Sequence, residues 1–462
     1  MDLAPQWVDM PFLKRIKKII KVLFVYDEDA RVDLFALYPG IKRFYQHRHN
    51  LFYLRSFGDI AFTFIILLGL FGPDDPTRNV SLFLAWGIWW VSIVMSWFFM
   101  GKFWCGICPF PGVGRILQAL GLSLNREPPF FLTKHCTSFA LIFFALIIWT
   151  ESVTEMKQWP LGTALLLMSI LLGASIMATL FRGQSWCRYL CPMGKIIGSA
   201  ATLSMIELRP DLDKCRTCRT FPCKKGTKNV PGCPVYLGAF NIKNNIDCLL
   251  CGRCLSLCDK DSPRLNLRNP FVELIINKGR HLTCSLIIPF LIGSQLARFI
   301  QHTAPYTLIE HWLFGSNALA FTLLLALGFY FALQVIRLGS SLFTITEDPF
   351  FGKFSPMVPV LVPLAFTGEL AYHLDYFLVN IGDVVPTFGR QFGFNLEHLS
   401  FSISAATIHW IGLFLIGIGT VSGNYVLHLF NTRDFAGMIP KRNYYSLHIL
   451  VLFVSAIYVF VM

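Results

Sequence analysis

Nine long apolar segments constrain the fold of this chain more than any other feature. Each approaches the ~20 residues that a helix needs to cross a lipid bilayer. Of the 462 residues, 54% are hydrophobic and only 15% are charged, which is unusual for a soluble protein. The sequence therefore predicts an all-α polytopic membrane protein with about nine transmembrane helices. They lie near residues 56–72, 80–100, 137–151, 161–181, 284–300, 315–336, 356–372, 401–427 and 445–462.

The positive charges follow this predicted topology. The net charge of +13 would by itself suggest a nucleic-acid partner. With nine spans, however, 36 of the 40 lysines and arginines fall on the side of the N-terminus; Arg78, Lys157, Arg298 and Arg390 fall on the other. Loops rich in lysine and arginine face the cytoplasm. We therefore predict a multi-pass protein of the cell inner (cytoplasmic) membrane, with a cytoplasmic N-terminus, an extracytoplasmic C-terminus and no nucleic-acid partner.

Residues 1–50 are predicted to form a cytoplasmic amphipathic segment, and they lack the pattern of a secretory signal. Phe12, Ile16 and Ile20 share one helical face, and the basic residues Lys14 and Lys18 lie mostly on the opposite face. A helix of this kind lies in the membrane surface. A soluble helix that packs on a partner is the alternative.

Eight cysteines form a second constraint on the fold. They follow the pattern Cys-x2-Cys-x4-Cys from Cys215 to Cys223, then Cys233-Pro234, then Cys-x2-Cys-x2-Cys-x3-Cys from Cys248 to Cys258. Eight thiolates suffice for two [4Fe–4S] clusters, and in two-cluster ferredoxins the fourth cysteine of each run ligates the other cluster. A pair of zinc sites is the alternative for such motifs. A disulfide framework does not suit a cytoplasmic domain.

This spacing predicts a small α+β ferredoxin-like domain at residues 207–268, on the cytoplasmic side. We assign cluster 1 to Cys215, Cys218, Cys223 and Cys258, and cluster 2 to Cys248, Cys251, Cys254 and Cys233. The domain separates the first four spans, within residues 51–206, from a C-terminal bundle of five helices at residues 269–462.

Spans two and four end in related motifs. One reads Trp104-Cys105-x2-Cys108-Pro109, and the other reads Trp186-Cys187-x3-Cys191-Pro192, each with a glycine shortly after it. Because each motif follows a two-span hairpin, the pair indicates an internal repeat. By the predicted topology, both pairs of cysteines lie at the cytoplasmic edge of the membrane.

These four membrane cysteines could meet in one site. Four thiolates could ligate a further iron–sulfur centre or a soft metal such as copper or zinc. Alternatively, they are reactive thiols, or small residues that allow close packing. The repeated tryptophan and proline argue against chance. Cys136 and Cys284 have no partner at a useful spacing, and we interpret them as core residues.

The combination of duplicated hairpins ending in CxxCP or CxxxCP with two [4Fe–4S] motifs resembles the NapH/NosR-type membrane polyferredoxins. The resemblance covers about residues 50–270. It implies electron transfer between the quinone pool and extracytoplasmic respiratory reductases. It also implies cluster ligation by the eight cysteines and a redox or metal role for Cys105, Cys108, Cys187 and Cys191. Two features depart from that pattern. We expect no flavin-binding domain ahead of the first span, and a C-terminal extension of about 180 residues, 281–462, carries five more spans.

Histidines are the candidate functional residues of the C-terminal bundle. Their predicted depths pair His428 with His448 near the cytoplasm, and His409 with His373, or less well with His311, near the outside. Two stacked pairs would hold two b haems. Alternatively, one or more of His373, Glu369 and His409 serve a proton path or a quinone pocket. A purely structural role is the third possibility.

The sequence thus predicts a membrane-bound iron–sulfur electron-transfer protein with no catalytic acid–base or nucleophilic site, because its cofactors carry the chemistry. It would act as a quinol dehydrogenase-like oxidoreductase component. Electrons would pass between the quinone pool or a cytoplasmic donor and a redox partner, such as a cytochrome or reductase subunit of a respiratory chain. The alternative is a copper-handling or maturation factor for a respiratory metalloenzyme. A redox-sensing regulator is disfavoured, because no DNA-binding or kinase-like segment is present. An acidic and aromatic segment at 347–352 is a candidate partner contact.

Overall fold

The computed structural model describes residues 12–227, 230–276, 282–343, 355–434, 437 and 439–462. The predicted contact at 347–352 and residues 1–11 lie outside the described residues. The helices are α1 (Phe12–Phe24), α2 (Leu34–Leu37), α3 (Pro39–Gln46), α4 (Arg48–Phe71), α5 (Trp90–Met100), α6 (Phe103–Ile107), α7 (Gly112–Ala119), α8 (Phe130–Lys134), α9 (Cys136–Val153), α10 (Pro160–Leu180), α11 (Pro192–Ala200), α12 (Leu212–Arg216), α13 (Pro222–Lys225), α14 (Arg253–Leu257), α15 (Val272–Ile276), α16 (Leu282–Ile300), α17 (Ala304–Trp312), α18 (Asn317–Leu342), α19 (Met357–Asn380), α20 (Val384–Phe392), α21 (Ala405–Leu429) and α22 (Lys441–Val461). The strands are β1 (Val32–Asp33), β2 (Ile206–Pro210) and β3 (Pro263–Leu267), and π-helical turns span Phe83–Trp89, Trp186–Leu190 and Phe430–Asp434.

Within the described residues, eight helical segments are long and apolar enough to cross a membrane. They are His49–Phe71, Phe83–Met100, Cys136–Val153, Pro160–Leu180, Asn317–Leu342, Met357–Phe392, Ala405–Arg433 and Lys441–Val461. The predicted fifth span, Cys284–Ile300, is long and apolar enough to cross only when it is taken together with the next helix, Ala304–Trp312. The chain bends by 94° between these two helices. The chain is therefore a mostly helical, multi-pass membrane protein whose described residues contain eight candidate spans, or nine if the bent pair crosses.

The chain divides into two compact units. Unit 1 comprises Met1–Phe62, Ser96–Cys136 and Ile170–Ile276, and unit 2 comprises Thr63–Met95, Thr137–Ser169 and Asn277–Met462. The eight cysteines of the predicted ferredoxin-like block and the four membrane cysteines all lie in unit 1.

Unit 1 contains a three-stranded antiparallel sheet in the order β1–β3–β2. Strands β2 and β3 pair from Ile206 opposite Leu267 to Pro210 opposite Pro263, so that they bracket the cysteine block. An apolar core on this sheet contains Phe35, Leu208, Ile242, Cys248, Leu250, Leu255 and Leu265. The sheet therefore anchors both ends of the block while its cysteines occupy the intervening loops and short helices.

The N-terminal segment contributes more to unit 1 than a membrane-surface helix would. Val32 pairs with Leu267, which adds β1 as an edge strand. The Asp33 carboxylate caps α2 by accepting a hydrogen bond from the Phe35 amide at 2.8 Å. The predicted amphipathic helix is present as α1, with Val22 buried and Leu13 exposed. Residues 32–46 thus belong to the same core as the cysteine block, because Phe35 is buried there.

In unit 2, α19 is the central helix. Every side chain from Met357 to His373 is buried, so this helix is covered on all faces by other parts of the protein. A helix that is apolar around its whole circumference is expected at the centre of a bundle. Glu369 and His373 interrupt that apolar surface and therefore need polar partners inside the unit.

Candidate metal centres

The cysteines assigned to cluster 1 line one cavity in unit 1. Cys215, Cys218, Cys223 and Cys258 all contribute to a cavity of about 270 Å³. Burial raises the pKa of the Cys223 thiol, and the nearby Cys258, Cys215 and Cys218 raise it further. In contrast, backbone hydrogen bonds, chiefly from Phe221, lower the pKa of Cys218. The structure therefore brings this quartet together around one cavity, with Cys223 as its buried member.

The cysteines assigned to cluster 2 line a neighbouring cavity. Cys233, Cys248, Cys251 and Cys254 contribute to it, and so does Cys223 of the first quartet. Burial raises the pKa of Cys248 to about 12. Burial also raises the pKa of Cys254 well above its ordinary value, and Cys248, Cys251 and Cys233 add to the effect. Four mutually repelling thiolates in a buried space suit an iron–sulfur core, whose irons offset their charge.

Tyr45 covers the second quartet, a contact that sequence reasoning missed. Its ring lies against Gly252, where an added Cβ would come within 2.1 Å of a ring carbon. Burial raises the pKa of the Tyr45 hydroxyl, and Cys251, Cys248 and Cys254 raise it further. The N-terminal segment therefore excludes water from this quartet. No spacing rule links Tyr45 to cysteines more than 200 positions away.

The duplicated motifs begin at equivalent glycines. Gly101 and Gly183 each follow a candidate span and have left-handed φ angles of +55° and +65°. A residue with a Cβ adopts this conformation only at an energetic cost, so glycine is favoured where the chain turns out of the helix. In each repeat the glycine is followed, three and four positions later, by the tryptophan and the first cysteine.

The two motifs keep the same geometry although their cysteine spacings differ by one residue. Cys105 lies in the α-helical turn α6, and Cys187 lies in a π-helical turn. A π-helical turn holds more residues than an α-helical turn. Both spacings therefore place the second cysteine, Cys108 or Cys191, at the C-cap.

The four membrane cysteines lie close enough to affect one another electrostatically. Burial raises the pKa of Cys187 well above its ordinary value, and Cys191, Cys108 and Cys105 raise it further. Burial raises the pKa of Cys105 to about 12. The Gly194 amide, at the start of α11, donates to Cys191 Sγ at 3.3 Å. The two repeats thus supply four thiols to one region of unit 1, two from each.

Each repeat also contacts a loop that carries a cysteine of the second quartet. In the first repeat, Lys102 Nζ donates to the Ile246 carbonyl at 2.7 Å. In the second, the amide of Gln184 donates to the Pro234 carbonyl, next to Cys233, at 2.9 Å. Lys102 and Gln184 each directly follow one of the paired glycines. The duplication therefore provides equivalent attachment points for two loops of the block.

The first repeat also approaches the Cys248–Cys254 segment through Gly106, which lies between Cys105 and Cys108. A Cβ added at Gly106 would lie 2.8 Å from the Leu249 carbonyl oxygen and 3.3 Å from Cys251 Cα. The buried Arg55 side chain donates to the Gly106 carbonyl at 2.8 Å. The turn that carries Cys105 and Cys108 therefore packs directly against the segment that carries Cys248 and Cys251.

Among the described residues, no three His, Cys, Asp or Glu side chains form a group that could hold a single metal ion. A cubane cluster distributes its four thiolates over four irons, so its ligands lie further apart than those of one ion. None of the fourteen cysteines, all of which lie in the described residues, forms a disulfide. Cys284 is buried, whereas Cys136 is partly exposed and accepts a contact from Lys195 Nζ at 3.7 Å.

His373 belongs to a buried polar network in unit 2. Glu369 binds His373 Nε2 at 3.0 Å and Arg298 Nη2 at 2.7 Å. Gln295 Nε2 also donates to Glu369 at 2.8 Å, and Tyr458 donates to Gln295. Within the described residues, His373 Nδ1 is buried without a hydrogen-bond partner.

Part of this network was absent from the sequence-based prediction. The charge distribution along the sequence assigns Arg298 to the outer face, whereas its side chain is buried and its guanidinium lies 4.1 Å from the centre of the Tyr372 ring. Lys157 is assigned in the same way, and it contacts Tyr372 OH at 2.9 Å and Glu151 at 3.2 Å. The rule that charges within an apolar span need partners would have singled out Arg298.

The other histidines form different contacts. His448 Nδ1 lies 2.5 Å from Asn424 Oδ1, and Tyr444 contacts both His448 and His428. His409 is exposed and contacts Trp410. In the described part of the chain, no hydrogen bond or ring contact joins His409 to His373, whose ring instead stacks on Trp90 at 4.9 Å. His428 and His448 thus both contact Tyr444, while His373 has protein partners on its ring face and on Nε2.

Comparison with known proteins points to the duplicated hairpins. A family model described as a 4Fe-4S binding domain matches residues 82–126 and 164–198, which contain the two membrane cysteine pairs. An uncharacterized protein of Methanocaldococcus jannaschii is 24% identical over 171 residues, which are 37% of this chain and 66% of the relative. YccM of Escherichia coli K12, whose name assigns it provisionally to electron transport, is 31% identical over 190 residues.

The match to YccM covers 36% of this chain and 51% of the relative. The chain thus spans between about half and two thirds of the length of these curated relatives. No solved structure matches. Two segments of this chain are therefore similar to an iron–sulfur binding domain, and they carry the cysteine pairs that the sequence analysis singled out.

Proposed function

We propose that this protein is a membrane-bound iron–sulfur electron carrier with three candidate centres. Cys215, Cys218, Cys223 and Cys258 would hold one [4Fe–4S] cluster, and Cys233, Cys248, Cys251 and Cys254 a second. Cys105, Cys108, Cys187 and Cys191 would hold the third centre. One observation carries the proposal most strongly. The segments that match a 4Fe-4S binding domain supply a thiol quartet that packs on the loops of another quartet.

A chain of neighbouring centres suits electron transfer more than catalysis by side chains. The first and second quartets share the wall formed by Cys223, and the second contacts the membrane quartet through Gly106. When bound, the clusters would supply the one-electron chemistry. The side chains of this chain would ligate them, hold them close together and exclude water, as Tyr45 does for the second quartet.

The orientation in the membrane and the redox partners are proposed from the resemblance to the NapH/NosR-type polyferredoxins. We infer that the cysteine block lies on the cytoplasmic side of the inner membrane and that the protein passes electrons between quinol and a respiratory redox partner. YccM, which this chain resembles in part, carries an electron-transport name. The buried Glu369–His373 pair in unit 2 supports a proton or quinone role there more than haem ligation, because His373 Nε2 already binds Glu369.

The decisive experiment is anaerobic purification followed by iron and sulfide analysis and electron paramagnetic resonance. We expect signals from three centres, with one signal lost in Cys187→Ser and a different one lost in Cys251→Ala. A protein that contains zinc and no iron after gentle anaerobic isolation would rule out the proposal.

A copper-handling or maturation role is the second candidate. The observation that favours it is that the two repeats bring four thiols to one region of unit 1, and thiolates are the ligands that a soft cation such as Cu(I) prefers. These side chains would have to move closer together to hold a single ion. Copper binding at one equivalent, lost in Cys187→Ser, together with no oxidation of a quinol analogue, would support this role over electron transfer.

A further inference from the structure

Lys102 is a buried lysine of unit 1. Only 5% of its surface is exposed, and its ammonium group donates to the Ile246 carbonyl. Within the described residues, no carboxylate forms an ion pair with it. A buried charge without a counter-charge is costly, so a lysine at such a position calls for an anionic partner.

The Lys102 ammonium packs against the second repeat, because a Cβ added at Gly198 of α11, the helix that begins directly after Cys191, would lie 3.4 Å from Lys102 Nζ. Once the membrane quartet holds a metal centre, its thiolates supply negative charge near this lysine. Lys102 acts electrostatically on Cys105, Cys187 and Cys191, and it opposes the rise in pKa that burial causes in each of them. The Cys105 amide also donates to the Lys102 carbonyl at 3.1 Å, so the lysine and the first ligand lie on the same turn.

The other cations near the quartet have partners of their own. Arg115 forms an ion pair with Asp59 at 3.0 Å. Lys195 contacts Cys136 Sγ at 3.7 Å and is attracted by Asp247. Arg115 and Lys195 still lower the pKa of Cys108 and Cys191, respectively, and the buried Arg55 donates to the Gly106 carbonyl. Lys102 differs from them in that it acts on three of the four membrane cysteines and has no carboxylate partner among the described residues.

In the second repeat, an uncharged residue, Gln184, occupies the position equivalent to Lys102. Lys102 and Gln184 occupy equivalent positions, three residues before the first cysteine of each motif. Both positions provide an attachment to the cysteine block, through a side chain at Lys102 and through the backbone at Gln184. Attachment alone does not require a positive charge, so the charge of Lys102 needs a separate explanation.

We propose that Lys102 supplies the positive charge that stabilises the anionic centre held by the membrane quartet, and that it stabilises the reduced form more than the oxidised form. This inference rests on the proposed function. Four thiolates give such a centre a net negative charge, and each added electron makes this charge more negative. A fixed cation therefore raises the reduction potential, because net charge and nearby hydrogen bonds set the potential of an iron–sulfur centre. Lys102 is a positioning residue, since it acts through the centre and not on a substrate.

The test compares Lys102→Gln, which makes the two repeats alike, with Lys102→Arg, which keeps the charge. Lys134→Gln is the matched control, because it removes an exposed lysine from unit 1. The readouts are iron content and the midpoint potential of each centre in an anaerobic titration followed by electron paramagnetic resonance. We expect a lower midpoint for the membrane centre in Lys102→Gln, and a midpoint close to that of the wild type in Lys102→Arg and Lys134→Gln.

Loss of the membrane centre in Lys102→Gln with retention in Lys102→Arg would also support the proposal, because charge would then be required for assembly. An unchanged midpoint in a fully loaded Lys102→Gln, or loss of the centre in both variants, would overturn it. Failure of the proposed function would be seen separately: the Cys187→Ser variant would then have the same iron content and the same paramagnetic signals as the wild-type protein.

Discussion

Arg298 and Glu369 form an ion pair of 2.7 Å in the interior of unit 2, between helices α16 and α19. Both side chains are almost completely buried. His373 and Gln295 bind the same carboxylate, so Glu369 has several partners. A charged group at this depth in an apolar bundle marks a position that is structural, functional or both.

Removing the Glu369 charge should destabilise unit 2 strongly. In Glu369→Gln the Arg298 guanidinium stays buried without its counter-charge, which costs about 3–5 kcal/mol in comparable buried pairs. Glu397→Gln is the control, because its 3.0 Å pair with Arg390 is solvent-accessible and should contribute no more than about 1 kcal/mol. Unfolding in detergent micelles measures both. Equal shifts for the two variants would mean that Arg298 has another stabilising partner.

Cys251→Ala should remove one cluster from the ferredoxin-like block. About four irons per protein should be lost, since each cubane holds four. The small core around Cys248 and Leu250 should also become less stable, because cluster binding contributes to folding. Cys284→Ala is the control, as this buried cysteine lies outside all three quartets. Unchanged iron content in Cys251→Ala would remove this residue from the set of ligands.

The four membrane cysteines should behave as one site. The single variants Cys105→Ser, Cys108→Ser, Cys187→Ser and Cys191→Ser should each abolish the same metal or spectral signal and leave the other centres assembled. The double variant Cys105→Ser/Cys187→Ser should be hardly worse than either single variant, because residues that act as a unit are non-additive. If the variants lost unequal fractions of the signal, and the losses added up in the double variant, the cysteines would form two separate pairs of thiols.

Thiol alkylation in the metal-stripped protein should depend on pH in a residue-specific way. The thiolate is the reactive form, so a group with a raised pKa reacts slowly until the pH approaches that pKa. Cys105, with a pKa of about 12, should be labelled slowly at pH 8 and progressively faster as the pH rises. Cys218, whose pKa is lowered, should be labelled first. Mass spectrometry after timed iodoacetamide treatment gives both rates, and the reverse order would contradict the burial of Cys105.

The bent helix pair determines which side of the membrane the C-terminus reaches. With nine spans, a reporter fused after Asp259 should be cytoplasmic and one fused after Met462 should be extracytoplasmic. With eight spans both would lie on one side. Finding both reporters in the cytoplasm would therefore show that α16 and α17 do not cross the membrane together.

Local patterns accounted for much of what the sequence predicted. Segment length and apolarity located the candidate spans, because the thickness of a bilayer requires them. The spacing of cysteines from Cys215 to Cys258 indicated two quartets, because cluster ligands recur at short intervals. The paired Trp-Cys motifs indicated a duplication. Each of these signals is complete within a few tens of residues and needs no knowledge of packing.

Contacts between distant segments were decided only by the tertiary structure. No local pattern could show that Lys102 binds the Ile246 carbonyl, that Tyr45 covers the second quartet or that Val32 pairs with Leu267. The same holds for Arg298 and Glu369, 71 positions apart, since their meeting depends on how two helices are rotated about their axes. The sequence determined which chemical groups are present and their spacing along the chain, whereas packing decided which of them meet, because burial forces polar groups to find partners wherever the fold places them.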